Sequence, residues 1–489
     1  MNCTYRSIWN DTTGTFVAAS ENARSGGKKT SSRRTFASGV ACFGLKALAI
    51  SLAIGFGTQV VALPLGGVVA AGAASIASGA GSTTITQTTQ NAAINWQSFN
   101  VGLGEGVLFV QPNSNAVMLN RVLGSDPSGI LGSLSSNGKV FLVNPNGILF
   151  GPRATVNVGG LVASTLNITD SDFMAGNIRF YGGGGASVVN EGAITTRAAG
   201  GYVALLGASV SNKGVIAARL GTVALASGSA VTLDVAGDGL LNVTVDQGAV
   251  HALAQNGGLI QADGGQVLMT ARSAGSLLQS AVNNTGVIQA RSIENHNGTI
   301  RLLGDMQSGT VSVGGTLDAS GAGAGQTGGK VTLTGHHVGL FGGRIDASGD
   351  AGGGTVLAGG DYQGQNPAVQ NAAATYMSAD ADIKADAIRS GDGGKVILWA
   401  NDTTRAYGSI SARGGVQGGD GGLIETSGHG LDVAGIKSMR ALPPAGTACG
   451  CWIRPTCRSR RPPPMARWPA ASLRQIPQPP RPQLRSAIS

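Results

Sequence analysis

GGYVALLGASVSNKGVI, residues 200–216, holds the two phrases from which the middle of this chain is built. The first is a Gly-Gly pair leading an apolar, β-branched run. It stands as GGYVALL at 200–206 and returns as GGQVLMT at 264–270, GGKVTLT at 328–334 and GGKVILW at 393–399. The second is a turn followed by a short apolar strand: NKGVI at 212–216, again as NEGAI at 190–194, NGGLI at 256–260 and NTGVI at 284–288, with YGSI at 407–410. Within both phrases apolar residues alternate with small or polar ones, the period of a half-buried strand. Asn and Gly tolerate φ > 0, so sharp turns are expected at the phrase boundaries.

Short strands returning every 20–30 residues or so predict the coils of a solenoid. The expected fold class is all-β, a right-handed parallel β-helix. Its turns stack at about 4.8 Å, and Val, Ile, Leu and Ala point inward. About 15 turns would make a stack on the order of 70 Å. A sandwich or propeller fits less well, because the turn spacing is irregular and no aromatic blade signature is present. A solenoid needs closed ends. The stretch 80–165 carries the larger residues Trp96, Phe99, Phe109, Phe141 and Phe150 and is expected to serve as the N-terminal cap. The segment 366–390 breaks the Gly rhythm and reads as an elaborated loop on one face.

Composition agrees. Gly is 80 of 489 residues, without a Gly-X-Y period, which excludes collagen. Aromatics are 4% and charged residues 12%, too few for an ordinary globule. The net charge of +9 is carried by the ends. Residues 1–73 hold seven Lys/Arg against two acids and residues 441–489 eight Arg against none, which leaves 19 basic and 23 acidic residues between. A body near −4 gives no reason to expect a nucleic-acid partner. The cysteines are Cys3, Cys42, Cys449, Cys451 and Cys457, so the stretch between 43 and 448 has none. That suits a chain crossing an oxidising compartment unfolded.

The N-terminus reads as an address. Lys28, Lys29, Arg33, Arg34 and Lys46 precede an apolar core at 47–62, and Ala71-Gly72-Ala73 offers a small-residue cleavage site near Ala73. The core is too short and too interrupted by Gly for a membrane span. The leading part is unusually long. Met1-Asn2, Tyr5-Arg6, Ile8-Trp9-Asn10, Gly14, Val17-Ala18 and Ser20-Glu21 resemble the extended signal region of large exported proteins.

The stretch 94–166 carries a denser resemblance. Asn144-Pro145-Asn146-Gly147 joins the apolar runs KVFLV (139–143) and ILF (148–150). Pro at the second position fixes φ and Gly at the fourth accepts the exit geometry, so this is a tight turn. Around it stand Asn95-Trp96, Ser98-Phe99-Asn100, Gln111-Pro112, Leu119-Asn120-Arg121-Val122, Asn137-Gly138 and the run from Val158 to Thr165, VGGLVAST. Together these resemble the secretion domain of filamentous-haemagglutinin-like exoproteins, the cargo of two-partner secretion in Gram-negative bacteria. The family's second tetrapeptide, Asn-Pro-Asn-Leu, is absent; Gln111-Pro112-Asn113-Ser114 lies in that area instead. The stretch 384–433 resembles text downstream of such domains.

The resemblance implies an extended signal peptide at 1–73, a secretion domain at 74–185 and a β-helical repeat region at 186–437. It implies a surface adhesin that reaches the cell surface through the periplasm, with the inner-membrane Sec machinery and an outer-membrane β-barrel transporter as partners. Host-cell surfaces or glycans would be the distal ligands. Asn144, Pro145, Asn146, Gly147 and Ile148 are the implied secretion motif, and the secretion domain is expected to template the folding of the turns behind it. A haem-scavenging protein or a contact-dependent toxin shares this front end.

Residues 438–489 break character: rich in Pro and Arg, without acids, unfit for a solenoid turn and expected to be disordered. Back-translated one base out of step, 449–457 gives Trp-Leu-Leu-Asp-Pro, a phrase familiar in the family. A frameshift or truncation near residue 437 is therefore expected. No enzyme chemistry stands out. His251, His296, His336, His337 and His429 lack metal-ligand spacing, and there is no G-x-S-x-G elbow. Neither cofactor nor metal is expected. The enzymatic alternative is a pectate-lyase-like β-helix using Asp380, Asp382 and Asp386 near Arg389, which uronate release from pectin with Ca²⁺ would reveal.

Overall fold

The computed structural model describes strands at 5–10 and 15–20 and residues 63–439, apart from 183, 198, 236–239 and 294–295. It falls into two units, 1–59 and 60–489. In the first, Tyr5–Asn10 pairs antiparallel with Thr15–Ser20, Ile8 opposite Val17. Most of the residues that resemble an extended signal lie on these two strands.

The second unit is a parallel β-helix with three strands to a turn. One turn shows the plan: Tyr202–Gly207, Ser209–Asn212 and Val215–Ala217. Each strand pairs in parallel with its counterpart in the turns before and after. The third column runs through fourteen strands from Ala74–Gly79 to Lys437–Met439. Its first strand joins antiparallel and the other thirteen run parallel, a stack of about 60 Å at ~4.8 Å per turn. Turn length varies widely. Ala193 pairs with Val215, 22 residues on, whereas Val215 pairs with Leu259, 44 residues on.

Alternation puts one side chain in two inside. The third column lines the core with Ile194, Ile216, Ile260, Ile288, Leu317, Ile345, Ile383 and Ile410, all at most 1% exposed. Here isoleucines, and Leu317 among them, stack on the equivalent side chain one turn away. The earliest turns enclose aromatics instead. Trp96 and Phe99 meet edge to face at 5.5 Å, and Phe109 and Phe150 are buried beyond them.

The N-terminal closure is a pair of antiparallel strands. Val68–Ala71 lies on Asn91–Trp96, and Ala74–Gly79 lies on Ser82–Gln87. These cover the first edge, whereas 80–165 forms the first turns themselves. Val68–Ala71 thus falls inside the stretch assigned from sequence to the leader.

The phrase-boundary residues work differently from the sequence expectation. Asn190, Asn212, Asn256 and Asn284 take no left-handed backbone. They are fully buried, and each of the first three amides donates to the next Oδ1 at 2.8 Å, forming a ladder up the second column. The glycines two residues on are demanded by closeness. A Cβ on Gly214 would stand 2.1 Å from the Gly192 carbonyl oxygen, and one on Gly258 2.1 Å from that of Gly214. In the Gly-Gly phrases the duties divide. Gly200 and Gly264 take φ of 80° and 70°, while Gly201 and Gly265 admit the neighbouring turn's backbone.

The half-buried pattern fails for part of the first column. Tyr202–Gly207 and Thr222–Ser227 are buried on both faces. Two excursions from the spiral cover them. One carries the short helix Asp170–Ala175 and the strand Arg179–Tyr181; the other pairs Ala230–Val235 with Leu241–Gln247. Arg179–Tyr181 joins Ala230–Val235 antiparallel, so the two excursions make one three-stranded sheet. Beneath it, Phe141 meets Phe173 at 5.9 Å and Phe180 at 6.1 Å. Only part of 366–390 is a loop, because Ala374–Met377 and Asp382–Lys384 are regular strands of the stack. Most of the Pro/Arg-rich tail lies outside the described residues.

Candidate export corner

Where the first-column strands end, four successive turns present a common corner. Parallel register places Asn95 beside Arg121, Arg121 beside Val143, and Val143 beside Ser164. Residues scattered over 70 positions of sequence are thereby stacked on one edge.

The turn at 144–147 is tied from inside. Asn144 is fully buried, and its Nδ2 donates to the Asp126 carbonyl at 2.9 Å and to Ser128 Oγ at 3.0 Å. Its Oδ1 accepts from the Asn146 backbone N–H at 2.9 Å, the Asx geometry that imitates a backbone turn. The Gly147 N–H donates back to the Asn144 carbonyl at 3.1 Å, and Gly147 takes φ of 120°. Ile148, 2% exposed, anchors the exit in the core. With Asn144 and Ile148 holding the ends, Pro145 and Asn146 stand exposed. Asn146 Nδ2 reaches the Gly124 carbonyl of the preceding turn at 2.8 Å.

Arg121 braces the same edge. Its Nη1 donates to Asn95 Oδ1 at 3.0 Å and pairs with Asp170 at 2.7 Å. Its Nε donates to Asn167 Oδ1 at 3.0 Å, and its Nη2 to the Ile168 carbonyl. One guanidinium thus fixes two turns of the spiral and the start of the short helix, using the fork geometry that Lys lacks. Asn120 beside it is fully buried and accepts from Trp96 Nε1 at 3.0 Å. A surface groove runs along the edge, lined by Arg121, Leu123, Gly124, Pro145, Asn146 and Asn167 among others. Leu123 is 63% exposed on this edge.

Other residues of the resemblance lie elsewhere. Gln111 sits at a different corner, where its Nε2 donates to Gln87 Oε1 at 2.8 Å and its own Oε1 accepts from Ser136 Oγ. Asn137 closes a reciprocal pair with the Gln111 backbone, at 2.8 and 2.7 Å. Asn100 accepts from the Gly129 N–H at 2.7 Å. Asn167 and Asp170 escaped the sequence reading, since nothing in their spacing announces that Arg121 reaches them.

The acids of the lyase alternative are dispersed on separate partners. Asp386 is buried and binds Arg413 through Nε and Nη2 at 3.1 and 2.8 Å. Asp382 pairs with Lys384 at 3.3 Å, Asp380 accepts from Ser378, and Arg389 pairs with Asp350 at 2.6 Å. Asp361 also has a structural duty: burial alone would raise its pKa, but hydrogen bonds from Lys395, Asn366 and the Tyr362 N–H hold it at about 2. Among the described residues, no three His, Cys, Asp or Glu side chains are grouped to hold a metal ion.

Comparison with known proteins gives three findings. Residues 62–319 match the family model described as the TPS secretion domain, and residues 1–50 match the extended signal peptide of the type V secretion system. Two heme/hemopexin-binding proteins of Haemophilus influenzae are similar in sequence. One is 34% identical over 250 residues, covering 50% of this chain and 27% of that protein; the other is 31% identical over 243 residues, covering 45% and 26%. The chain thus spans about a quarter of the length of the curated relatives it matches. The crystal structure of the HMW1 secretion domain from Haemophilus influenzae superposes with a TM-score of 0.67 at 32% identity, covering 77% of this chain and all of that one.

Proposed function

Since the chain belongs to the family of TPS secretion domains, we propose that its corner at Leu123, Pro145 and Asn146 is the surface read by its partner transporter. The chain is a two-partner-secretion exoprotein, exported through the periplasm to the surface of a Gram-negative bacterium. Its partner transporter stands in the outer membrane. One observation supports this choice of residues. Asn144 uses its buried amide wholly to hold the turn, so Pro145 and Asn146 project at a rigid, exposed edge beside the 63%-exposed Leu123. Rigid display costs a partner little ordering entropy on binding.

Leu123→Asp tests the reading. The side chain is outside the core, so the thermal unfolding of the purified domain should stay unchanged. Secretion through the transporter should fall about tenfold, the effect of losing one apolar anchor worth ~1–2 kcal/mol. Unchanged secretion would remove Leu123 from the interface.

Beyond export the function we infer is adhesion, with no bond chemistry. Supporting this, the candidate acids are occupied by arginine, lysine and serine partners within the stack. The Sec channel as first partner and host-cell surfaces or glycans as final ones belong to the same proposal. So does templating, in which each arriving turn docks on a finished one and avoids a new nucleation event. The heme/hemopexin names of the relatives favour a second reading, a haem-acquisition exoprotein. Retention of the secreted protein on hemopexin, against retention on host cells, separates the two.

A further inference from the structure

Small residues suited to cleavage stand at two places, at the end of the leader's apolar core and beyond it. Ala71-Gly72-Ala73 is one; Val60-Val61-Ala62 is the other, with a small residue next to the scissile bond and a compact β-branched one two positions earlier. We propose that the leader is removed between Ala62 and Leu63, by hydrolysis of that single peptide bond. Water is split across it, leaving a carboxylate on Ala62 and an ammonium on Leu63.

The fold supplies the reason, since residues 63–73 are packed on the first turn as part of its closure. Leu63 is 7% exposed and Pro64 is buried. The Leu65 N–H donates to the Ser98 carbonyl at 2.9 Å, and the Leu65 carbonyl accepts from the Gln97 N–H at 3.0 Å. Val68–Ala71 pairs with Asn91–Trp96, Val69 opposite Ile94. Gly67 lies flat on the Trp96 ring, where a Cβ would stand 2.5 Å from Cζ3. Ala73 donates to Thr89 Oγ1 and accepts from the Thr88 N–H, both at 3.0 Å.

A cut after Ala73 would strip all of this away. Trp96, 1% exposed in the intact fold, would lose the strand that covers it. Asn91–Trp96, the first strand of its column, would become a bare edge open to pairing with other chains. A cut after Ala62 keeps every one of these contacts. Distance from the apolar core agrees: Ala62 is its last residue, whereas Ala73 lies eleven residues beyond. Cleavage sites sit close behind the apolar region. The family model of the secretion domain also begins at residue 62.

The test is the N-terminal residue of the full chain secreted by cells carrying the transporter, read by intact mass and N-terminal sequencing. Leu63 is expected; Ala74, or any other first residue, overturns the assignment. A62L should leave unprocessed precursor in the cell, while A73L, at an exposed position, should still yield a chain beginning at Leu63. Normal processing of A62L would equally overturn it. None of these outcomes depends on the transporter-facing corner, whose failure would show as reduced export of a correctly trimmed chain.

Discussion

The turns between 91 and 227 and those between 253 and 439 follow one plan and are stabilised in different ways. The early turns are thick: aromatic side chains inside the first of them, then a first column buried on both faces, and an outer sheet laid over it. In the later turns Ile, Leu and Val stack on themselves and glycine keeps the corners close. The difference teaches where specificity lies. Early positions are held by contacts between residues far apart in sequence, as when Arg121 joins Asn95, Asn167 and Asp170. Later ones are held by contact with the equivalent residue one turn away.

Phe180→Ala strikes the early design hardest. Its ring is fully buried under the outer sheet against Phe141, and truncation should cost about 3–5 kcal/mol. Urea unfolding of the purified domain measures this. A loss under about 1 kcal/mol would mean that the outer sheet is ornamental and that the two regions are alike.

Asn256→Ala tests the link between them. Its amide donates to Asn284 and accepts from Asn212, so removal leaves two buried groups short of a partner, a loss of about 1–3 kcal/mol. Val313, the equivalent position two turns beyond Asn256, closes no such ladder, and Val313→Ala should cost about 1–2 kcal/mol through packing alone. Amide exchange of neighbouring turns would show the Asn256 variant opening over a wider stretch.

Acid gives the smallest effect, confined to the later turns. Asp361 has its pKa lowered to about 2 in the fold, so its contribution is present above the ordinary carboxylate value and is lost as pH falls from about 4 through 2. Asp361→Asn should flatten stability across that window, and a pH series of thermal melts would show an unchanged slope if Lys395 and Asn366 were not its partners.

The phrases at 200–216 made the columns legible, because alternation and turn residues are local signals. The same text hid the ladder. Asn190, Asn212, Asn256 and Asn284 open four similar phrases, yet their separations of 22, 44 and 28 residues conceal that they stack. An Asn opening each phrase two places before a corner glycine was the signal available. The outer sheet was illegible for a different reason: Arg179–Tyr181 and Ala230–Val235 meet across about 50 residues, and neither strand carries a pattern naming the other. At the candidate corner, the tight turn at 144–147 was legible from Pro and Gly alone. The role of Asn144 as its buried tether needed the neighbouring turn to be in place.

The buried amide row bears on how each strand finds its footing. It spans the stretch where one circuit doubles in length, and there an incoming strand is most prone to slide along its neighbour. A slide of two residues would bring Val210, Ala254 or Val282 against a waiting carboxamide, at a penalty of about 1–3 kcal/mol. A polar key at the same inward position of four successive strands therefore proofreads their alignment, in a chain whose long middle has no cysteine to lock a mistake in place.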